Sequence, residues 1–285
     1  MKISFFGTDH FATGVLDRLA AGGILPSLVV AAPDRPAGRH MELKEPDAKV
    51  WAKARGIEVL QPEKMDAEFV AALGERGAWD VFAVASYGKI IPQAVLDVPT
   101  KGCLNVHPSL LPRHRGATPI EAAMLADEKD TGVSVILMDA KMDHGPIVAQ
   151  VPVAFDEWPA RPEVERRTAE IGGDLLAATL PKWRDGSLAA AAQDESLATY
   201  TKMLEKADGD LAQATTEREK FLRVQAMSPW PGAFMFVNDK NGHSVRVKVT
   251  AARWDAENNL CVFEKVVPEG HHAMDWASFE NGFLR

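Results

Sequence analysis

Asn105 and His107 stand two residues apart at the end of an apolar run, Cys103-Leu104-Asn105-Val106-His107. If that run is a strand, its side chains alternate, and the amide and the imidazole face the same side. Open α/β sheets hold their ligands at the carboxyl ends of strands. Two polar donors side by side there suit an oxygen on which negative charge develops. The same residue types also fit a turn-capping amide beside a packed histidine. A second polar loop, Met138-Asp139-Ala140-Lys141-Met142-Asp143-His144-Gly145, follows another apolar run. Asp143 would orient a water or accept a proton near His107. By chemistry alone Asp139 is equally eligible, and either aspartate fits a turn before Gly145.

These groups need a scaffold that brings two loops to one edge. Short apolar runs at 3–6, 28–31, 57–60, 81–85 and 103–106 alternate with helical patterns at 11–19, 48–54 and 69–73. Such alternation predicts βαβ units and an α/β fold, a Rossmann-like open, mostly parallel sheet with helices on both faces. A helix at 120–125, strands at 133–138 and 147–155, and a long helix over 164–180 follow, with Pro181 expected to end that helix. Residues 193–201 are polar and read as a linker. Beyond them the pattern changes. A helix at 216–224 stops before Ser228-Pro229-Trp230-Pro231-Gly232, and strands at 234–237, 245–251 and 260–267 surround turn signals that include Asn241-Gly242. The tail is therefore expected to be a small C-terminal β domain.

The chain carries a net charge of −8, which disfavours a nucleic-acid partner held by a global field. The charge is uneven. Residues 206–285 hold 10 basic and 11 acidic side chains, so −7 of the total lies before them. Any RNA would be gripped by local patches. Cys103 and Cys261 have no CxxC partner, so they read as packed residues and not as a zinc site or a disulfide framework. The 8 histidines are scattered, and His271-His272 lacks a third ligand at useful spacing, so no metal is expected. The first strand ends in Gly7-Thr8-Asp9-His10, which is neither a dinucleotide nor a P-loop fingerprint. No leader or membrane span is read from the sequence, and a cytoplasmic setting is the expectation.

Taken together, the motifs resemble the folate-dependent formyltransferases. Asn105-Val106-His107 with Asp143 matches that family's Asn/His/Asp set. Ser109-Leu110-Leu111-Pro112 followed by Arg113-His114-Arg115-Gly116-Ala117-Thr118-Pro119-Ile120 is similar to its SLLPxxRGxxPI signature. Further segments resemble the branch that acts on methionyl-tRNA. They are Phe6-Gly7-Thr8 with Phe11-Ala12, Pro33-Asp34-Arg35-Pro36-Ala37-Gly38-Arg39, Val59-Leu60-Gln61-Pro62-Glu63-Lys64 and Ser86-Tyr87-Gly88-Lys89-Ile90-Ile91-Pro92. Ala198-Thr199-Tyr200-Thr201-Lys202-Met203, Trp230-Pro231-Gly232-Ala233-Phe234 and Pro268-Glu269-Gly270 through Met274 extend the likeness over nearly the whole chain.

The resemblance implies transfer of a formyl group from 10-formyltetrahydrofolate to the α-amino group of methionyl-tRNA in translation initiation. A sugar-nucleotide N-formyltransferase using the same donor is the alternative. Asn105, His107 and Asp143 would be catalytic. Ser109, Leu110, Leu111, Pro112, Tyr87, Gly88, Ile90, Ile91 and Asp139 would line the folate, and Arg35, Arg39, Lys44, Arg113 and Arg115 would face the tRNA. Residues 1–188 would form the catalytic domain, 189–205 a linker and 206–285 the tail, in a protein expected to be a monomer without a membrane partner. Two departures stand out. The segment His40-Met41-Glu42-Leu43-Lys44-Glu45 is usually rich in lysine in this family and here holds one, and the tail is short enough to predict a truncated oligonucleotide-binding-like (OB-like) barrel.

Overall fold

The computed structural model describes residues 1–37 and 42–284. β1 (Ile3–Phe6) is buried along its length and feeds α1 (His10–Ala21). Asp9 starts that helix, its carboxylate accepting from the backbone N–H groups of Phe11 and Ala12, which a helix start leaves unpaired. β2 (Leu28–Val30) comes next, then a hairpin of β3 (Arg35–Ala37) and β4 (Glu42–Lys44). The alternation continues through α2 (Asp47–Lys53), β5 (Glu58–Leu60), α3 (Ala67–Glu75), β6 (Val81–Val84), α4 (Gln93–Leu96) and β7 (Cys103–His107). A two-residue strand, β8 (Arg115–Gly116), precedes α5 (Pro119–Leu125), β9 (Asp130–Leu137), β10 (Ile147–Ala154) and α6 (Arg161–Asp185). β11 (Tyr200–Thr201), α7 (Glu217–Ala226), β12 (Ala233–Asn238), β13 (Ser244–Asp255), β14 (Leu260–Pro268), β15 (Met274–Asp275) and α8 (Trp276–Phe279) follow.

The main sheet has the order β10-β9-β7-β6-β1-β2-β5. The pairings among β5, β2, β1, β6 and β7 are parallel, whereas β9 runs antiparallel to β7. The result is the mostly parallel α/β sheet that the alternation predicts. Its strands read as continuous apolar runs because both faces are covered. Phe6, Phe82 and Tyr87 pack on one another beneath β1 and β6, with ring centroids 5.0 Å apart for Phe6–Phe82 and 5.5 Å for Phe6–Tyr87.

One helix boundary differs from expectation. α6 runs through Pro181 to Asp185. Proline forfeits one backbone donor there, but Leu180 is buried beside it and the Trp183 indole N–H donates to the Lys101 carbonyl at 2.8 Å. That anchorage holds the last turn in place.

The chain divides into two compact units. One comprises Met1–Gly116, Thr131–Val153 and Glu165–Tyr200; the other comprises Ala117–Asp130, Ala154–Val164 and Thr201–Arg285. The second unit contains an antiparallel sheet of order β12-β13-β14-β15, the small C-terminal β element expected from the sequence. Within it Phe221 of α7 packs on Trp254, and Arg218 pairs with both Asp127 and Glu157 at 2.7 Å. Among the described residues no helix is long and apolar enough to cross a membrane.

Candidate active site

The strand ends of the parallel sheet converge through three loops. β1 and β6 exit together. Thr8 N–H donates to the Ser86 carbonyl at 3.1 Å, Thr8 Oγ1 donates to the Tyr87 carbonyl at 2.8 Å, and the Ser86 hydroxyl donates to Asp9 at 2.6 Å. β7 ends in Asn105 and His107, and their separation by one residue places both on one face of the sheet. Among the described residues the half-buried Asn105 carboxamide has no hydrogen-bond partner. It is thus a side chain with donor capacity to spare.

The two ring nitrogens of His107 are not equivalent. Nε2 lies 3.0 Å from the His114 carbonyl, to which it donates, so Nδ1 is the nitrogen left for chemistry. Nδ1 faces Asp143 Oδ1 at 3.6 Å, and both side chains are largely buried. The other oxygen of Asp143 accepts the Gly116 backbone N–H at 2.8 Å. The structure therefore brings Asp143, not Asp139, to His107. Asp139 turns to its own loop, accepting from His144 Nδ1 at 2.6 Å and from the Lys141 N–H at 2.9 Å. Gly145 lets this loop close down, since a Cβ there would overlap the Leu137 carbonyl oxygen.

The segment after His107 is pinned from beneath. Ser109 is fully buried, its hydroxyl donating to the Arg113 carbonyl at 2.7 Å. Ser134 Oγ donates to the Ser109 carbonyl at 2.6 Å, while Gln150 Nε2 donates to the Leu111 carbonyl at 2.8 Å. Leu111 is buried, whereas Leu110 and Pro112 are half-buried. Ser134 and Gln150 were not legible as loop holders, because neither lies near the motif in sequence.

The other expected folate residues behave unequally. Gly88 adopts a positive φ of 75°, and Ile90 is 82% exposed. Ile91 and Tyr87 belong to the core cluster. The Tyr87 ring packs on Phe6, burial pushes its phenol up, and among the described residues its buried hydroxyl has no partner. Tyr87 thus has only its backbone near the loop surface.

Of the cations expected to face tRNA, Arg35 is exposed on β3 and Lys44 is exposed beside Asp47 at 3.4 Å. Arg113 is half-buried, and Arg39 lies outside the described residues. Arg115 requires correction. It is 0% exposed, its guanidinium bonded to Gln193, Glu195 and Tyr200. A cation with every N–H committed internally has none left for phosphate. Gln193 is a further residue that sequence reasoning missed. It lies in the stretch read as a linker, yet it is buried and donates to the carbonyls of Asp143 and Gly145. Both cysteines are free and buried, their thiols pushed up to about 12 by burial.

An amide and an imidazole at the end of β7, faced by a carboxylate from the loop after the antiparallel β9, are the groups that acyl-group transfer calls for, and the first strand carries no nucleotide fingerprint. Residues 1–180 match the formyl transferase family, and the chain belongs to that family. Within the family it is similar to the methionyl-tRNA formyltransferase of Anaeromyxobacter dehalogenans, with 40% identity over 257 residues, covering 90% of this chain and 81% of the relative. The methionyl-tRNA formyltransferase of Chloroflexus aurantiacus is 40% identical over 252 residues, covering 88% of this chain and 81% of its own. Among solved structures, a sugar N-formyltransferase from a Shewanella species shares the fold with a TM-score of 0.65 and 19% identity, covering 88% of this chain and 98% of that one.

Proposed function

We propose that this chain transfers a formyl group from 10-formyltetrahydrofolate to the α-amino group of methionyl-tRNA. The observation that carries the chemistry is the Asp143 carboxylate 3.6 Å from Nδ1 of a His107 whose other nitrogen is already engaged. The likeness to methionyl-tRNA formyltransferases over 90% of this chain supports the choice of acceptor.

The bound donor supplies an N-formyl carbon, and the amine of the aminoacyl-tRNA attacks it. Asn105 and Nδ1 of His107 donate to the formyl oxygen as charge builds on it. Asp143 balances the positive charge on the imidazole and passes a proton from the attacking amine toward the leaving nitrogen. These three side chains account for the reaction without calling on a metal. The unpartnered Asn105 amide fits a site that completes its hydrogen bonds only with substrate present.

Ser109–Pro112, the backbone of residues 87–91 and Asp139 form the folate wall in this reading. Arg35, Lys44, Arg113 and Arg39 face the tRNA. Residues 1–188 form the catalytic domain, 189–205 the linker and 206–285 a shortened OB-like domain. The protein acts as a cytoplasmic monomer with no membrane partner. The test is formyl transfer from 10-formyltetrahydrofolate to methionyl-tRNA, run beside sugar-nucleotide amines as acceptors. Turnover with the tRNA alone is the expected result. Preference for the sugar amine, or no folate-dependent transfer at all, would overturn the assignment.

A further inference from the structure

The segment His114–Gly116 touches both His107 and Asp143. The His114 carbonyl accepts from His107 Nε2, and the Gly116 N–H donates to Asp143 Oδ2. His114 and Asp143 both sit at positive φ, 59° and 49°, where side chains other than glycine are strained. Such conformations persist only where the surroundings over-determine them. The side chain between the two contacts, Arg115, is the anchor.

Arg115 Nε and Nη2 donate to Gln193 Oε1 at 3.1 and 2.8 Å. Nη1 donates to Glu195 at 3.0 Å and to the Tyr200 hydroxyl at 3.0 Å, and Nη2 also reaches Glu195 at 2.6 Å. All donors of the fork are committed. Gln193 then turns outward. Its single Nε2 donates to the Asp143 carbonyl at 2.8 Å and to the Gly145 carbonyl at 2.7 Å, straddling the loop that carries the carboxylate. Gln193 therefore uses both donors and both acceptor sites of its amide. The buried part of this network, Arg115 with Gln193, is fully satisfied, and such a pair is rigid; Glu195 and Tyr200 close it at the surface.

We infer that Arg115 and Gln193 are positioning residues of the formyl-transfer site. Arg115 sets the strip that orients His107 and Asp143, and Gln193 locks the Asp143 turn to that same arginine. Neither is placed against substrate. The inference deepens the proposed function and rests on it, because it assigns a rate role to the separation of His107 and Asp143.

The test uses the full chain with Gln193→Ala and Gln193→Glu. The glutamate keeps the size and the acceptor toward Arg115, but sets a carboxylate against two carbonyls. Wild-type protein must first transfer formyl to methionyl-tRNA; if it does not, the functional reading fails and not this one. Given that activity, both variants are expected to lose about 10- to 100-fold in kcat, with KM for methionyl-tRNA unchanged. The ring ¹⁵N resonances of His107 move as its surroundings loosen. Folded variants with wild-type kcat and an unmoved His107 spectrum would overturn the inference. So would failure of both variants to fold, which would give Gln193 a purely structural role.

Discussion

Replacing Asp143 by asparagine removes the carboxylate's charge and proton-carrying capacity while keeping its shape. The amide oxygen still accepts the Gly116 N–H that the carboxylate accepts at 2.8 Å, so the turn keeps its anchor. What disappears is the negative charge 3.6 Å from His107 Nδ1, together with the carboxylate that carries the proton, so the charge alone sets a lower bound on the loss. A full charge pair about 4 Å apart is worth roughly 4 kcal/mol at an effective dielectric of about 20. The two side chains are only 5% and 13% exposed, so solvent screens little of that interaction. If the imidazole carries positive charge in the transition state, the variant loses most of it. Each ~1.4 kcal/mol is a factor of about ten in rate, which gives a fall in kcat of roughly 10²- to 10³-fold. The assay is formylation of methionyl-tRNA at saturating folate, read beside the thermal midpoint. An unchanged midpoint with the expected drop supports the charge argument. A folded variant within about fivefold of wild type would refute it.

Asn105→Ala and His107→Ala should each lower kcat by about 10²- to 10³-fold by removing one donor to the developing oxyanion, with folding retained by far-ultraviolet dichroism. Gly145→Ala should impair both stability and turnover, because the new Cβ overlaps the Leu137 carbonyl and displaces the Asp143 loop; melting and activity measured together check this. The His10–Glu165 pair, at 2.8 Å, gives a pH signature. Its hydrogen bond and charge raise the His10 imidazole above its ordinary 6.5 in the folded chain. The resulting stabilisation is fully present below pH 6.5 and is lost as pH rises through the raised value. Thermal midpoints of wild type and His10→Gln should therefore differ in acid and converge in alkali.

Much of the scaffold was legible because buried parallel strands are written as unbroken apolar runs. Ile3–Phe6 and Val81–Val84 are buried at every position. The direction of β9 was not legible, since an apolar run carries no sign of its partner's polarity. The β3–β4 hairpin was missed because Arg35, Pro36, Glu42, Leu43 and Lys44 are all exposed and leave no buried apolar pattern to read. At the site, the common facing of Asn105 and His107 followed from the two-residue period of a strand. The choice between Asp143 and Asp139 needed the fold, since it turns on which loop position meets β7. Arg115 was read as a free cation because its partners lie 78–85 residues away. Gln193 was hidden for a related reason. A polar stretch looks like solvent-facing chain until its donors are seen to meet buried carbonyls. The sequence clue that would have helped is the cluster Gln193-Asp194-Glu195, whose side chains have hydrogen-bonding capacity well beyond what a spacer uses.

The second compact unit is assembled from three stretches of chain separated by parts of the first. A ribosome releases Phe155 and Trp158, which stack at 5.0 Å in the finished protein, long before it releases α7 or the tail strands. Arg218 arrives some ninety residues after Asp127, its eventual ion-pair partner. Nascent chains must therefore carry these early segments unfinished while the following stretch, 91 residues for the Asp127–Arg218 pair, is made. Proteolytic trimming behind residue 200 would leave the same orphaned surface exposed, so the unit is gained or lost at the very end of translation.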